Sequence, residues 1–448
     1  MDLEKKLTPS ILIAFAVETL SATWFLKIPG WAPLFSILYL ASGIAIAGML
    51  LYFPAIRLPS PGPKPWRSPI NQRRLVITGL IALALYSWCL HWFDDWPIDV
   101  SNADMLPIIK VMGERFIAGQ HSHIYDPIPS IWHGALPIYL PAMWLPYAPA
   151  LALGIDMRWI AIAGLLFAFG TFVFLYRPSG DALQPALPSA VRSSKTRGPF
   201  FLGVLAFLLF WWIVADNTAG IVSVSEEGVV IGYYVLLVLA LLSGKPWLTG
   251  VAISLCMLSR YALVGWIPAY LLYLVLERRW RHLSIITLTG IICFTMLFLV
   301  PVGWTTFLRL IHLPGDYVAF ADRVWNDSPA VFSTAPGLAW FFGRKGIAIL
   351  HGLLITFSFT LPVLFTVLAY RRGRNRSQDP NAGRTNSRVR PNTGSRLSNI
   401  PLASLKLSLV IFYSFIDVPY LYLFYTSSLV SLIVMALLIS ARKGQPGI

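Results

Sequence analysis

Stretch after stretch of this chain is apolar over nearly the length needed to cross a bilayer, and that constrains the fold more than any motif. The runs are Ile11–Leu26, Trp31–Phe53, Leu75–Phe93, Trp159–Tyr176, Phe200–Ala215, Val229–Leu242, Trp247–Leu258, Leu263–Leu276, Leu283–Val300, Ile347–Tyr370, Leu405–Tyr420 and Leu429–Ser440. A spanning helix needs roughly 17–25 such residues, and in hydrocarbon the backbone must satisfy its own hydrogen bonds. Hydrophobic residues make up 56% of the 448 positions and charged residues 12%. An ordinary soluble domain carries about twice that charge. The expected fold is an all-α polytopic membrane protein, one integral membrane domain over residues 1–448 with about 12 transmembrane helices. The first run follows MDLEKK without a small-residue cleavage site, as expected of an uncleaved span rather than a signal peptide. Cys89, Cys256 and Cys293 all lie within apolar runs and read as buried thiols, not a disulfide framework.

The net charge of +15 would suit a nucleic-acid partner if it formed a patch. Instead the basic residues sit in alternate connections: Lys5 and Lys6, RLPSPGPKPWRSPINQRR, RPSGDALQPALPSAVRSSKTR, ERRWR, RRGRNRSQDPNAGRTNSRVRPNTGSR and the final ARKG. That is the pattern of cytoplasmic loops, so no nucleic-acid partner is expected, membrane lipids are, and both termini are assigned to the cytoplasm. Residues 371–402 read as a flexible basic cytoplasmic linker. The run LPIYLPAMWLPYAPALALG is apolar enough to span, yet counting it would place the basic RPSGDALQ segment outside. It also holds Pro137, Pro141, Pro146 and Pro149, each lacking a backbone donor. It is therefore expected to be a broken, partly embedded element of a large outer loop over residues 94–158. A second large outer loop covers residues 301–346.

The first outer loop opens with FDDWPIDVSNAD, which holds four (Asp94, Asp95, Asp99, Asp104) of the chain's 20 acidic residues. Behind it, Met105, Ile108, Ile109, Met112 and Phe116 recur at the spacing of one helical face. The expectation is a short amphipathic helix lying on the bilayer, begun by Asp104 and ended by Gly119. Asp104 can be read simply as a helix N-cap, or as a general base held near water without being lost in it. Asp94 and Asp95 read as a hydrated helix end. His121, His123 and His133 lack the spacing of a metal set.

An acid just past a transmembrane helix, an amphipathic juxtamembrane helix closed by Gly, then YDP and a proline-rich apolar element: this order resembles the first outer loop of GT-C glycosyltransferases. These are multi-span enzymes that use polyprenyl-phosphate-linked sugars. The loop is similar to those of bacterial polyprenol-phosphate mannosyltransferases and of aminoarabinose and protein mannosyl transferases. Asp104 matches the catalytic Asp, Gly119 the helix-ending Gly and Leu140–Pro141 the proline segment. The resemblance covers about residues 94–176. It departs in the spaced prolines of YLPAMWLP, in the lack of Asp-x-Asp in the outer loops, and in two extra amino-terminal spans.

The resemblance implies a plasma (bacterial inner) membrane enzyme. It would transfer a sugar with inversion from a polyprenyl-phosphate-linked sugar donor to a hydroxyl of a lipid or glycan acceptor. Asp104 is the expected base and Asp99 the fallback. Glu226 and Glu227 form the expected second acidic site, or else simply solvate the next helix. Arg260, in a gap between apolar runs, is expensive unless it meets an anion or an aqueous cavity. With Lys110 or Arg115 it is the expected donor-phosphate contact, the alternative being a turn residue that snorkels. A divalent metal (Mg or Mn), held by Asp104 with Glu226 or Glu227, stays open, with no complete ligand set visible. Glu18 and Asp417 are expected to serve helix packing. The rival readings are a multi-span secondary transporter, whose two related halves are not visible as a sequence repeat, and a lipid-linked glycan polymerase or ligase.

Overall fold

The structure, a computed structural model, describes residues 2–28, 30–53, 56, 72–131, 134–176, 198–215, 221–310, 315, 337–377, 397–417 and 420–441. Among them, regular structure is helical apart from one isolated bridge between Ile128 and Ala135. The helices are α1 (Asp2–Ser21), α2 (Ala32–Leu50), α3 (Gln72–Asp95), α4 (Met105–Ile117), α5 (Pro141–Trp144), α6 (Ala148–Ala152), α7 (Arg158–Leu175), α8 (Gly198–Ala215) and α9 (Glu227–Ser243). They continue as α10 (Pro246–Met257), α11 (Trp266–Leu276), α12 (Trp280–Phe294), α13 (Val300–Val302), α14 (Trp304–Leu310), α15 (Ala339–Phe342), α16 (Ile347–Ser377), α17 (Ile400–Phe415) and α18 (Leu423–Ala441). A π-helical stretch, Thr295–Leu299, joins α12 to α13.

Every apolar run of the sequence falls on one of these helices. Five, namely α2, α3, α7, the continuous α12–α13 and α16, are long and apolar enough to cross a membrane by themselves. The remaining runs form shorter apolar helices. What faces outward is also apolar. On α3, Leu75, Leu80 and Leu83 are exposed, as are Leu288, Ile291 and Met296 on the α12 segment and Ile349, Ile355 and Leu364 on α16. Continuous exposed apolar faces of this extent would be a liability in water, so the molecule is a helical membrane protein.

The centre of the bundle is α9, α17 and α18, whose residues are buried almost all round. A helix apolar on every side belongs in such a position. The amino-terminal α1 is locked to this centre by a charge. Lys406 of α17 donates to Glu18, and also to the Ser427 hydroxyl (2.6 Å) and carbonyl (3.0 Å). Ser431 donates to the second oxygen of Glu18 at 2.8 Å. Glu18 and Asp417 thus both act in packing, the latter pairing with His351 of α16 at 3.0 Å. On the other side of α9, Gly164 of α7 meets Gly228, where a Cβ would come within 2.0 Å of the Gly228 carbonyl oxygen. Such small residues let two helix backbones touch, and the contact holds the start of α9 against α7.

Of three expectations, one holds and two change in detail. The proline-rich run is indeed broken, into α5, a 3-10 turn over Leu145–Tyr147, and α6, with most of its side chains buried. The apolar face of α4 faces protein rather than bilayer: Met105, Ile108, Ile109 and Met112 are buried, and Gly113 leaves room only for Leu151 of α6. The ends of the 371–402 segment are helical, since α16 runs on through Ser377 and α17 begins at Ile400; residues 378–396 lie outside the described residues, as do His133, Asp216 and most of 311–336.

Breaking the buried pair on one side should be costly. Lys406→Met leaves Glu18 uncompensated and is expected to lower stability by about 3–5 kcal/mol, read as a lower thermal midpoint in detergent. The double variant Glu18→Gln/Lys406→Met should recover much of that loss. Equal destabilisation by the single and double variants would show that the pair is not what docks α1.

Candidate functional site

The ends of the 94–158 loop are drawn together by Arg158, a buried residue whose importance only the structure reveals. Its guanidinium stacks on the Phe93 ring, 3.8 Å from the centroid. It donates to the Trp96 carbonyl at 2.6 Å and the Phe93 carbonyl at 3.3 Å, at the end of α3, and to Asp156. A cation on the last carbonyls of a helix complements its dipole, and here it also ties α3 to the start of α7.

Within that closed loop Asp104 occupies the N-cap position of α4, but its carboxylate does not cap the helix. It accepts instead from the hydroxyl of Tyr420, 3.2 Å away across the bundle. At the other end, Gly119 (φ +74°) ends α4 as expected, with the Gln120 amide donating back to the Arg115 carbonyl at 2.8 Å. That six-to-one bond together with the left-handed glycine makes a Schellman stop.

The second acidic pair is brought to the same end of the bundle. Glu226 and Glu227 stand at the start of α9, wholly buried, where the α7 glycine contact fixes them. Between α10 and α11 the chain leaves the helix at Leu258, and Arg260 takes an extended conformation (φ −142°, ψ 148°). From there its Nη2 lies 2.8 Å from Glu226 Oε1 and 2.6 Å from Glu227 Oε2. Thr426 of α18 donates to the other Glu227 oxygen at 2.7 Å. One guanidinium therefore bridges two buried carboxylates. Glu226 Oε2 and Arg260 Nε have no hydrogen-bond partner among the described residues.

The proline-broken element holds these parts in place. The Ala142 amide donates to the Leu258 carbonyl (3.0 Å), which sets the break before Arg260. Tyr147 donates to the Glu226 carbonyl (3.4 Å), and Tyr233 of α9 donates to the Ala142 carbonyl (3.1 Å). Proline removes helical donors, and here the freed backbone groups are spent on neighbours. Tyr139, just before this element, feels both acids: burial raises its phenol well above the usual range, and the Asp104 and Glu226 charges add to the rise. Burial likewise lifts the Glu226 carboxyl above the ordinary carboxylate range; Arg260 pulls it down, and Asp104 pushes it up. Asp104 is thus coupled electrostatically to Glu226, which Arg260 joins to Glu227, although these residues are far apart in sequence.

The other candidates lie elsewhere. Asp99 is exposed and accepts from the Ser101 amide (2.8 Å) and hydroxyl (2.6 Å), bonds that hold it below the usual carboxylate range. Lys110 is exposed and 3.9 Å from Glu114. Arg115 points into its own loop and donates to the carbonyls of His123, Ile124, Asp126 and Pro127. Asp126, of the YDP sequence, joins His123 (2.6 Å) and Arg309 of α14 (2.9 Å), fastening the loop to the segment that follows α13. Among the described residues no group of three or more His, Cys, Asp or Glu side chains is arranged to hold a metal ion.

Sequence reasoning brought Glu226, Glu227 and Arg260 forward separately but not their bridge, and it missed Tyr420, Thr426 and Tyr139. Comparison with protein-family models, curated proteins and solved structures found no match.

The bridge makes a stability prediction. Arg260→Gln leaves two buried carboxylates facing each other and should cost about 3–5 kcal/mol, seen in the thermal midpoint in detergent. Adding Glu226→Gln to Arg260→Gln removes one of the opposed charges and should restore part of the loss. No recovery in the double variant would show that the charges are not coupled.

Proposed function

We propose that this protein is an inverting, membrane-embedded glycosyltransferase of GT-C type, with Asp104 as its base. The supporting observation is that Asp104, at the start of α4 but not capping it, acts electrostatically on Glu226, which Arg260 joins to Glu227 from other helices. An acid that does not cap its own helix, with a guanidinium at the same end of the bundle that keeps 15% of its side chain accessible, suits acyl transfer or chemistry in which a phosphate leaves. Its loop resembles that of the polyprenyl-phosphate-sugar enzymes, which selects the second.

In this reading the twelve apolar helices all cross the membrane, with the site at the outer face and both termini inside. The Asp104 carboxylate takes the proton of an acceptor hydroxyl, whose oxygen attacks the anomeric carbon of the sugar. The bond from that carbon to the polyprenyl phosphate oxygen breaks, the electron pair leaving with the phosphate. Arg260 stabilises the charge that grows there. Because Arg260 already balances two glutamates, its attraction for phosphate depends on their protonation. When Glu226 takes up a proton, one guanidinium faces one carboxylate and can meet a phosphate oxygen. Lys110 and Arg115 play no part in this version, and Asp99 serves the turn.

The observation that would favour a transporter, the buried Glu18–Lys406 pair, is saturated by Ser427 and Ser431, as suits a docking contact better than a moving ion site.

Asp104→Asn should lower sugar transfer from a lipid-phosphate donor in membranes by about 100-fold or more, the usual worth of a general base. Near-normal turnover at normal expression would remove Asp104 from that role. The second prediction concerns pH. Since the Glu226 carboxyl is raised, it is protonated below its shifted pKa and becomes charged as pH rises through it. The donor KM should therefore climb with pH in the native enzyme, and Glu226→Gln should flatten that climb; an unchanged pH profile in Glu226→Gln would assign the dependence to another group.

A further inference from the structure

At the opposite end of α9 the bundle contains a cavity of about 200 Å³. The 17 residues of α9 separate it from Glu226 by roughly 25 Å at about 1.5 Å per residue, so it is independent of the acidic site. Its wall includes Tyr270 and Tyr273 from α11, Arg279 and His282 where α12 begins, and Asn399 where α17 begins. Arg279 and His282 belong to the basic segment ERRWRH, whose only role in the sequence reading is orientation.

The wall has the chemistry of an anion site. Arg279 extends beside Tyr273, its guanidinium carbon 5.8 Å from the ring centroid. The nearby carboxylate does not saturate it: Glu277 lies 3.8 Å from Arg279 Nη2, beyond the roughly 2.7–2.9 Å of a charge-assisted hydrogen bond. Asn399 makes the wall rigid, accepting from the Ile56 amide at 3.0 Å and donating to the Leu50 and Phe53 carbonyls at 3.2 and 3.1 Å. The opening turns of α10, α12 and α17 border the space, and their positive ends reinforce Arg279, while the closing turns of α9 and α11 offset part of that field. The volume settles the size of the occupant. Drug- or cofactor-sized ligands occupy roughly 300–1,000 Å³, so this space suits a phosphate group with little attached to it.

We propose that this cavity binds a phosphate-bearing anion, with Arg279 as its charged contact and His282 as a hydrogen-bonding one. Free phosphate and the headgroup of an anionic phospholipid present the same chemistry to these two residues. The full-length protein in neutral detergent should bind inorganic phosphate in a calorimetric titration. Arg279→Gln should weaken that binding by about tenfold or more, the worth of a hydrogen bond to a charged group; His282→Gln should weaken it less, and Arg279→Lys should retain most of it. Arg309→Gln, in the Asp126 contact of the other end, should bind as the native protein does. In nanodiscs, loss of phosphate binding when phosphatidylglycerol replaces part of a phosphatidylcholine bilayer identifies the lipid headgroup as occupant. Undiminished binding identifies free phosphate. The proposal is overturned if neither phosphate nor phosphatidylglycerol binds in a manner sensitive to Arg279→Gln, with Arg279→Lys guarding against a variant that merely misfolds.

Discussion

One guanidinium between two buried carboxylates is the constraint around which the rest of the acidic end is arranged. Two adjacent glutamates at 0% exposure cannot both stay charged in a low-dielectric interior without a cation, and Arg260 is the cation that reaches both. Reaching them requires the chain to stop being helical between α10 and α11, which it does through the Ala142–Leu258 backbone bond. It also requires α9 to start close against α7, which the Gly164–Gly228 contact allows. Each of those conditions lies on a different segment, yet all meet at one salt-bridged cluster.

The proline-broken element is what reconciles that cluster with a mostly helical bundle. A continuous helix over 136–154 would have satisfied its own backbone and offered nothing to its neighbours. Interrupted, it gives an amide to Leu258 and a carbonyl to Tyr233, and supplies Tyr147 to the backbone of Glu226. It also covers the apolar face of α4, so the helix that carries Asp104 rests on protein and is held in one orientation.

Much of this was legible beforehand because it depended on local pattern. The apolar runs marked the helices, the spacing of Met105, Ile108, Ile109 and Met112 marked the buried face of α4, and Gly119 marked its end. Four prolines marked the break. What could not be read was who pairs with whom. Arg115 and Arg260 carry the same chemistry in sequence, but one is spent on loop carbonyls and the other on two carboxylates. Lys406 was hidden as a lone basic residue inside an apolar run, and its meaning rests on Glu18, which is 388 residues away. Tyr420 turns to Asp104 and Tyr422 is buried against Met105, contacts that no local pattern announces. Pairing across that distance is a property of the packed bundle, and periodicity within a run carries no record of it.

The hydroxyl stripe at the start of α18 has a consequence for how the molecule is made. Thr426 donates to Glu227, while Ser427 and Ser431 donate to Glu18, so the helix nearest the carboxyl end completes acids laid down near the amino end and in the middle. During synthesis those acids are made well before their hydroxyl partners on α18. Until α18 arrives, Glu18 has only Lys406 and Glu227 only Arg260, and neither has the hydroxyls that complete its hydrogen bonding. The last helix therefore finishes two ion pairs that earlier helices have already begun, and its docking is what closes them off from water.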